Sequence, residues 1–515
     1  MRGKNLFRTV EEIFKVSCIL VLGASAGWGQ APPTGNGSVS QDQAMLETMR
    51  QLQREVQELR QSVDELRGEA AQYRVETQQL REEITRARTE PVAGPSGLSG
   101  QPAAPPSNET EQRIAKVEDD LQLLSGKVDD QYQTKIESGS KYRVRVFGIA
   151  LFNLFGNRGT VNNVEDPSLA ADQGPMASSG SFGGTLRQSI LGLETFGPQL
   201  AGAKTRADLQ FDFAGGSPEV ANGVAFGLAR LRTATMRMDW ANTSIVGGQD
   251  SLFFAPLSPT SFASLAEPPL SYAGNLWSWI PQLRVEHRQA ISDTSNLTFK
   301  AGILDSLTGE IPNYGYGRQP TAGEQSGQPA YAAHVGYKHG ASDRAPQVGM
   351  GAYFNRQDWG FQRKVDGWAA IADWTLPMSR WFALSGEFYR GRAIGGLSGG
   401  VGQTVLLSGP LADRVTSVDG LATAGGWAQL KFTPAPKWEF NSAWGLDNPY
   451  AADFRRFPLP PGYLSERNGG FMTNMIVHPR SDLLFSFEYR HLRTLSFPSD
   501  IESANHFNVA MGVLF

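Results

Sequence analysis

The sequence predicts a mainly β protein: a 16-stranded antiparallel transmembrane β-barrel preceded by an N-terminal α-helical coiled coil. Three observations predict it. The last residues, 505–515, alternate, with Phe507, Val509, Met511, Val513 and Phe515 on one face and His506, Asn508, Ala510, Gly512 and Leu514 on the other. A half-buried soluble strand also alternates, but a wholly apolar face ending on an aromatic residue fits the closing strand of an outer-membrane barrel. Second, about sixteen alternating segments recur from Lys141 onward, and their connections are by turns short and long. Third, an unbroken 4-3 apolar repeat runs over residues 45–87.

Composition narrows the class. The chain has 515 residues with 57 Gly and 30 Pro, so turns are many. Mean hydropathy is negative, and no run of 18 apolar residues follows the first thirty, which excludes a helical membrane protein. A barrel escapes hydropathy because only alternate residues face lipid. A net charge of -4 gives no reason to expect a nucleic-acid partner. Six scattered His and one Cys offer no metal-ligand spacing, and no cofactor is expected.

Taken in order, residues 1–26 read as a signal peptide. Arg2, Lys4, Arg8 and Lys15 precede an apolar run, Val16 to Leu22, and then Gly23-Ala24-Ser25-Ala26. Cys18 is a poor lipid-attachment site because the apolar core follows it, so the exported chain is expected to fold without cysteine. Residues 41–90 form the coiled coil, with Leu52, Val56, Leu59, Val63, Leu66, Leu80 and Ile84 in its core. Glu55, Glu69, Glu76 and Glu83 lie five residues before Arg60, Arg74, Arg81 and Arg88, the spacing of interhelical pairs in a parallel assembly. Val at a with Leu at d leans toward two strands. Tethering to a barrel trimer favours three. A Pro/Gly-rich linker spans 91–108, a second short coiled coil with Ile114, Val117, Leu121, Leu124 and Val128 spans 109–137, and the barrel occupies 141–515.

Within the barrel the clearest strand starts at Ala203: Thr205, Ala207, Leu209, Phe211 and Phe213 alternate with Lys204, Arg206, Asp208, Gln210 and Asp212. Other strands begin near residues 141, 186, 228, 243, 281, 297, 330, 347, 365, 381, 426, 438, 469, 483 and 504. Short breaks follow the even strands and long ones most odd strands, as periplasmic turns and extracellular loops do. Trp240, Trp374, Trp381 and Trp438 sit beside the short breaks, where an aromatic girdle belongs.

The polar register places Arg143, Arg145, Lys204, Arg206, Arg284, Arg288, Lys300, Lys338, Lys431 and Arg490 inside, against Asp208, Asp212, Glu286, Asp373, Glu439 and Glu488. The register of the strands near 186 and 228, with Arg230 and Arg232, is not fixed by the pattern. The excess of bases points to a pore that favours anions, with Arg145, Lys204, Arg206, Arg284, Arg288 and Lys300 as its attracting residues. The alternative is that these charges pair across the lumen and stiffen the wall. The connection from Ser251 to Ile280 is unusually apolar for an exposed loop, holding Phe253, Phe254, Phe262, Tyr272, Trp277 and Trp279. It is expected to fold inward and narrow the pore; an extracellular cap or a trimer contact is the alternative.

The order of signal peptide, coiled coil, linker and then Tyr142-Arg143-Val144-Arg145-Val146-Phe147-Gly148 opening a 16-stranded barrel resembles the DcaP-type porins, relatives of the phosphate-selective porins O and P. The resemblance is architectural and covers nearly the whole chain after the signal peptide. It implies a homotrimer in the lipopolysaccharide-bearing outer membrane, a coiled coil in the periplasm, and passive uptake of small anions such as dicarboxylates. No lysine-rich loop set supports phosphate as the favoured solute. A rival reading is a structural anchor whose coiled coil, about 43 residues at 1.5 Å each, reaches roughly 65 Å toward the cell wall. His287, His334, His339, His478, His491 and His506 form no nucleophile–base pattern, so no enzyme is expected, and a soluble glycan-binding β protein fits less well still.

Overall fold

The computed structural model describes residues 143–172, 174, 178–216, 227–310, 317–340, 342, 344–457, 465–496 and 500–515. The signal peptide, both coiled coils with their core residues Leu52 to Ile84, and the linker lie outside the described residues.

Sixteen barrel strands run through the described residues. The first four are β1 (Val144–Arg158), β2 in two pieces (Gly180–Thr185 and Ile190–Leu200), β3 (Ala203–Asp212) and β4 (Arg230–Asp239). Next come β5 (Thr243–Ser251), β6 (Trp279–Ser292), β7 (Ser295–Leu304) and β8 (Ala330–His339). They are followed by β9 (Gln347–Asp358), β10 (Lys364–Pro377), β11 (Phe382–Arg392) and β12 (Ala422–Ala435). The last are β13 (Trp438–Pro449), β14 (Ser465–Arg480), β15 (Leu483–Ser496) and β16 (Asp500–Leu514). Each pairs antiparallel with the next, and β16 pairs with β1 from Ile149↔Leu514 to Arg158↔Asn505, closing the sheet. The Gly148 N–H donates to the Phe515 carbonyl at 2.8 Å and the Phe515 N–H donates back at 3.1 Å, so the seam holds to its end.

The alternation read in the sequence is the alternation of the wall. Phe507, Val509, Met511, Val513 and Phe515 are exposed on the outside, while His506, Asn508 and Ala510 are buried on the inside. Met236, Leu283, Met350, Phe388, Trp444 and Phe487 extend the same apolar exterior around the barrel. Water covers such a surface poorly and hydrocarbon covers it well. The turn between β2 and β3 is two residues, Ala201 and Gly202, at φ 49° and 77°. Two positive φ values match the twist of the flanking strands, and glycine takes the second without strain. At this short-turn end, Phe382 stacks on Phe432 at 4.6 Å and Trp438 on Phe440 at 6.3 Å, a local band of rings beside exposed Trp381. Trp240 Nε1 donates to the Ala201 carbonyl at 2.9 Å, and Trp374 packs against Gly386, where an added Cβ would lie 2.5 Å from the indole.

Two departures from regularity explain the registers that the pattern left open. β2 does not begin near 186. It starts at Gly180, breaks over 186–189 and resumes at Ile190, and β1 pairs with both pieces. Between β3 and β4 the register shifts at Gln210/Phe211, opposite Thr233 and Leu231. Such a bulge puts one extra residue on a strand. Arg230 and Arg232 come to face inward on Asp212, at 2.7 and 2.9 Å.

Replacing Val509, mid-way along the apolar face of β16, with Arg is expected to cost about 2–4 kcal/mol, whereas Leu there is near neutral. Denaturant titration of the protein refolded in lipid vesicles measures the difference.

Candidate functional site

The lumen is built from two components: the inward residues of the wall, and the connection between β5 and β6. This connection, residues 252–278, lies inside the barrel and is pinned to much of its circumference. Phe254 is fully buried and stacks on Tyr353 of β9 at 5.2 Å. The wall residue beneath it is Gly351, where a Cβ would sit 2.1 Å from the Phe254 carbonyl oxygen. The Leu257 N–H then donates to Glu387 of β11 at 2.7 Å, and the Thr260 N–H to Gln429 of β12 at 2.6 Å. Asn474 of β14 donates to the Thr260 carbonyl at 2.8 Å, and the Ser261 hydroxyl to Glu488 of β15 at 2.6 Å. Asn153 of β1 donates to the Phe262 carbonyl at 3.0 Å. Gln188, in the break of β2, accepts from the Leu265 N–H at 2.7 Å and donates to the Ala263 carbonyl at 3.0 Å. Arg232 and Arg230 of β4 donate to the Leu265 and Ala266 carbonyls at 2.5 and 2.6 Å. Buried backbone groups need partners, and wall side chains provide them at each of these points.

The aromatic residues expected to form the constriction are spread along this path. Phe253 meets Phe254 edge-on at 5.7 Å and lies under the Arg284 guanidinium, also at 5.7 Å. Phe262 is partly buried beside Ile149, Leu151 and Leu484, with its ring 6.4 Å from that of His478. Tyr272 has φ 57°; its carbonyl accepts from Asn468 at 3.0 Å and its ring lies over Gly402.

Of the six cations singled out, three are committed to carboxylates. Arg145 pairs with Glu194 at 2.8 Å; Arg206 lies 3.7 Å from Glu194 and 3.4 Å from Asp239; Arg284 bridges Glu286 and Asp250, both at 2.8 Å. Arg237 joins Asp239 and Glu286 at 2.7 and 2.8 Å, so one ladder of alternating charge runs from β1 to β6. Lys300 sits opposite Glu286 on one side and His334 on the other, and His334 reaches Asp373 at 2.8 Å. Lys204 and Arg288 face inward near the short-turn end and form no salt bridge among the described residues. Glu194, Asp239, Asp250, Glu387 and Asp447 also point inward, and so do Arg230, Arg232 and Arg237.

Exposure divides the lumen in two. The side chains of Arg145 and Arg206 remain 39% and 45% exposed although they face inward, whereas Arg490 and Glu488, beneath the inner loop, are at 4% and 1%. Water reaches the first set, and the loop has replaced it over the second.

Beneath the loop, Asp166 from the β1–β2 connection accepts from Arg490 at 3.1 Å, from the Ser264 hydroxyl, and from the Glu267 N–H at 3.1 Å. Burial outweighs these bonds and pushes the Asp166 carboxyl up to about 6. Burial, followed by the neighbouring Asp166, pushes Glu267 up to about 8.

No protein-family model matches the chain, and no curated protein matches it. Solved structures do. The outer membrane channel DcaP of Acinetobacter baumannii superposes with a TM-score of 0.57 at 14% identity, over 74% of this chain and 100% of that one. The barrel has the DcaP fold. OmpF of Salmonella typhi matches at 10% identity over 73% of this chain and 98% of that one, with a TM-score of 0.45. An anion-selective porin from Comamonas acidovorans matches at 12% identity over 73% and 100%, with a TM-score of 0.43.

Gly351→Val places side-chain atoms where the Phe254 carbonyl lies. It is expected to cost about 1–3 kcal/mol and to raise single-channel conductance as the loop shifts, both readable on the refolded protein. The pH response has a definite sign. Carboxyls whose folded values exceed their ordinary 3.8 and 4.5 bind protons more tightly in the folded state. Their ionisation penalty is absent below pH 4 and grows as pH rises through about 6 and about 8. Thermal stability should therefore fall between about pH 4 and about pH 8, less steeply in the double variant Asp166→Asn, Glu267→Gln.

Proposed function

We propose that this chain is an outer-membrane porin, a passive diffusion channel for small hydrophilic solutes. The observation that supports it most directly is a closed barrel with an apolar outside whose inward charges on β1 to β3 stay hydrated while an internal loop occupies the rest of the section. The inner loop sets the narrowest part of the path, with Phe253, Phe254, Phe262 and Tyr272 holding it against the wall rather than touching solute. Small anions, dicarboxylates among them, are the favoured cargo. Lys204 and Arg288 near the short-turn mouth, with half-exposed Arg145 and Arg206 deeper in, offer forked or single-point donors to carboxylates. Pairing of Arg284 and Arg206 with wall acids keeps that preference mild. The heptads of 41–90 give the barrel a trimeric arm in the periplasm, and the assembly sits among outer-membrane lipids and lipopolysaccharide.

In a planar bilayer under a KCl gradient, the reversal potential should have the sign of anion preference, and Lys204→Glu with Arg288→Glu should move it toward cations. A cation-selective wild-type channel would remove the anion preference, and no conductance at all would leave the anchor reading. Removal of residues 27–140 should leave conductance unchanged.

A further inference from the structure

At one end of the outer wall, apolar side chains give way to a groove rimmed by cations. Near the extracellular end of β13 to β16, cross-strand register sets outward residues in rows. One row is Trp444, Phe471 and His491; the next is Leu446, Gly469 and Arg493; Arg467 and Leu495 begin the third. Gly469 is the centre of this grid. Its missing side chain leaves a groove of about 420 Å³, walled by Leu446, Phe471 and Leu495 and rimmed by Arg467, Arg493 and His491. Arg467 and Arg493 are exposed, and neither forms a salt bridge among the described residues; Arg467 Nε donates to Asn448 at 2.7 Å.

Their height on the barrel is informative. Arg493 lies ten residues along β15 from Leu483, which adjoins the short turn. At about 3.4 Å per residue and a tilt near 40°, that is about 26 Å along the barrel axis, roughly the full height of the apolar band. Two cations thus meet the outer edge of the hydrocarbon, directly above an apolar slot one side chain deep. Cations that would be costly at the midplane are tolerated at that level, which is the depth of the anionic headgroups they can pair with.

We propose that this groove binds a phosphorylated glycolipid of the outer leaflet, with phosphate between Arg467 and Arg493 and an acyl chain laid across Gly469 between Leu446 and Leu495. The proposal rests on the outer-membrane reading. An ammonium-headed lipid would meet like charge here, and a neutral one would leave both guanidinium groups without an anionic partner. His491 is turned aside, its Nδ1 3.0 Å from Asn505 Oδ1, so the two arginines carry the recognition.

Native mass spectrometry of the full chain in detergent, titrated with a bis-phosphorylated, hexa-acylated glycolipid, tests this. Arg467→Ala with Arg493→Ala should weaken binding about tenfold or more. Gly469→Leu, which keeps both charges and whose Cβ would lie 3.2 Å from the flexible end of Leu446 and 3.5 Å from the Gly445 carbonyl oxygen, should do the same. Conductance of both variants should stay at the wild-type level, which separates loss of this site from failure of the channel reading. Binding by the variants within twofold of wild type would overturn the proposal. So would equal affinity for phosphatidylglycerol, or a change of oligomeric state with no change in glycolipid binding, which would assign the groove to a second copy of the chain.

Discussion

Backbone hydrogen bonding in a medium without water is the constraint on which the rest of this structure depends. Each unmet N–H or C=O in hydrocarbon costs several kcal/mol, so a sheet can cross only if it has no edge. The pairing of β16 with β1, continued to the reciprocal bonds between Gly148 and Phe515, removes that edge. Once the sheet is closed, its two faces see two solvents, and the period of two along every strand becomes a division between hydrocarbon and lumen.

The same requirement explains the inner loop. A connection of 27 residues, 252–278, folded into a barrel carries backbone donors and acceptors away from bulk water, and the wall must supply their partners. It does so with buried polar side chains at inward positions: Asn153, Gln188, Glu387, Gln429, Asn474 and Glu488. Phe254 on Tyr353, Leu276 and Ile280 then build an apolar core on one side of the lumen. On the opposite side of the lumen, charge is arranged as a ladder rather than as a bare basic ring. Pairs such as Arg145–Glu194 and Arg237–Glu286 hold the wall and lower the net field together.

On the outside, departures from the apolar rule are as local as their causes. The short-turn end has rings, which suit an interface where one side of the group is wet. The other end of β14 and β15 has two guanidinium groups around a glycine.

Much of the fold was legible from residues alone. Period-two alternation is a local property, so strand positions, the lipid face of β16 and the inward direction of Lys204, Arg206, Arg284 and Lys300 could all be read along the chain. The apolar content of 252–278 marked it as a buried loop, because exposed connections rarely hold so many rings. Only the tertiary structure decided what stands beside what. A strand's sequence names the face of a residue but not its cross-strand neighbour, and one bulge at Gln210 or one break at 186–189 resets every pairing beyond it. Arg145 meets Glu194 because strand register sets them side by side, and Thr260 meets Gln429 across 169 positions because the loop folds inward onto the wall; neither is encoded within any short window.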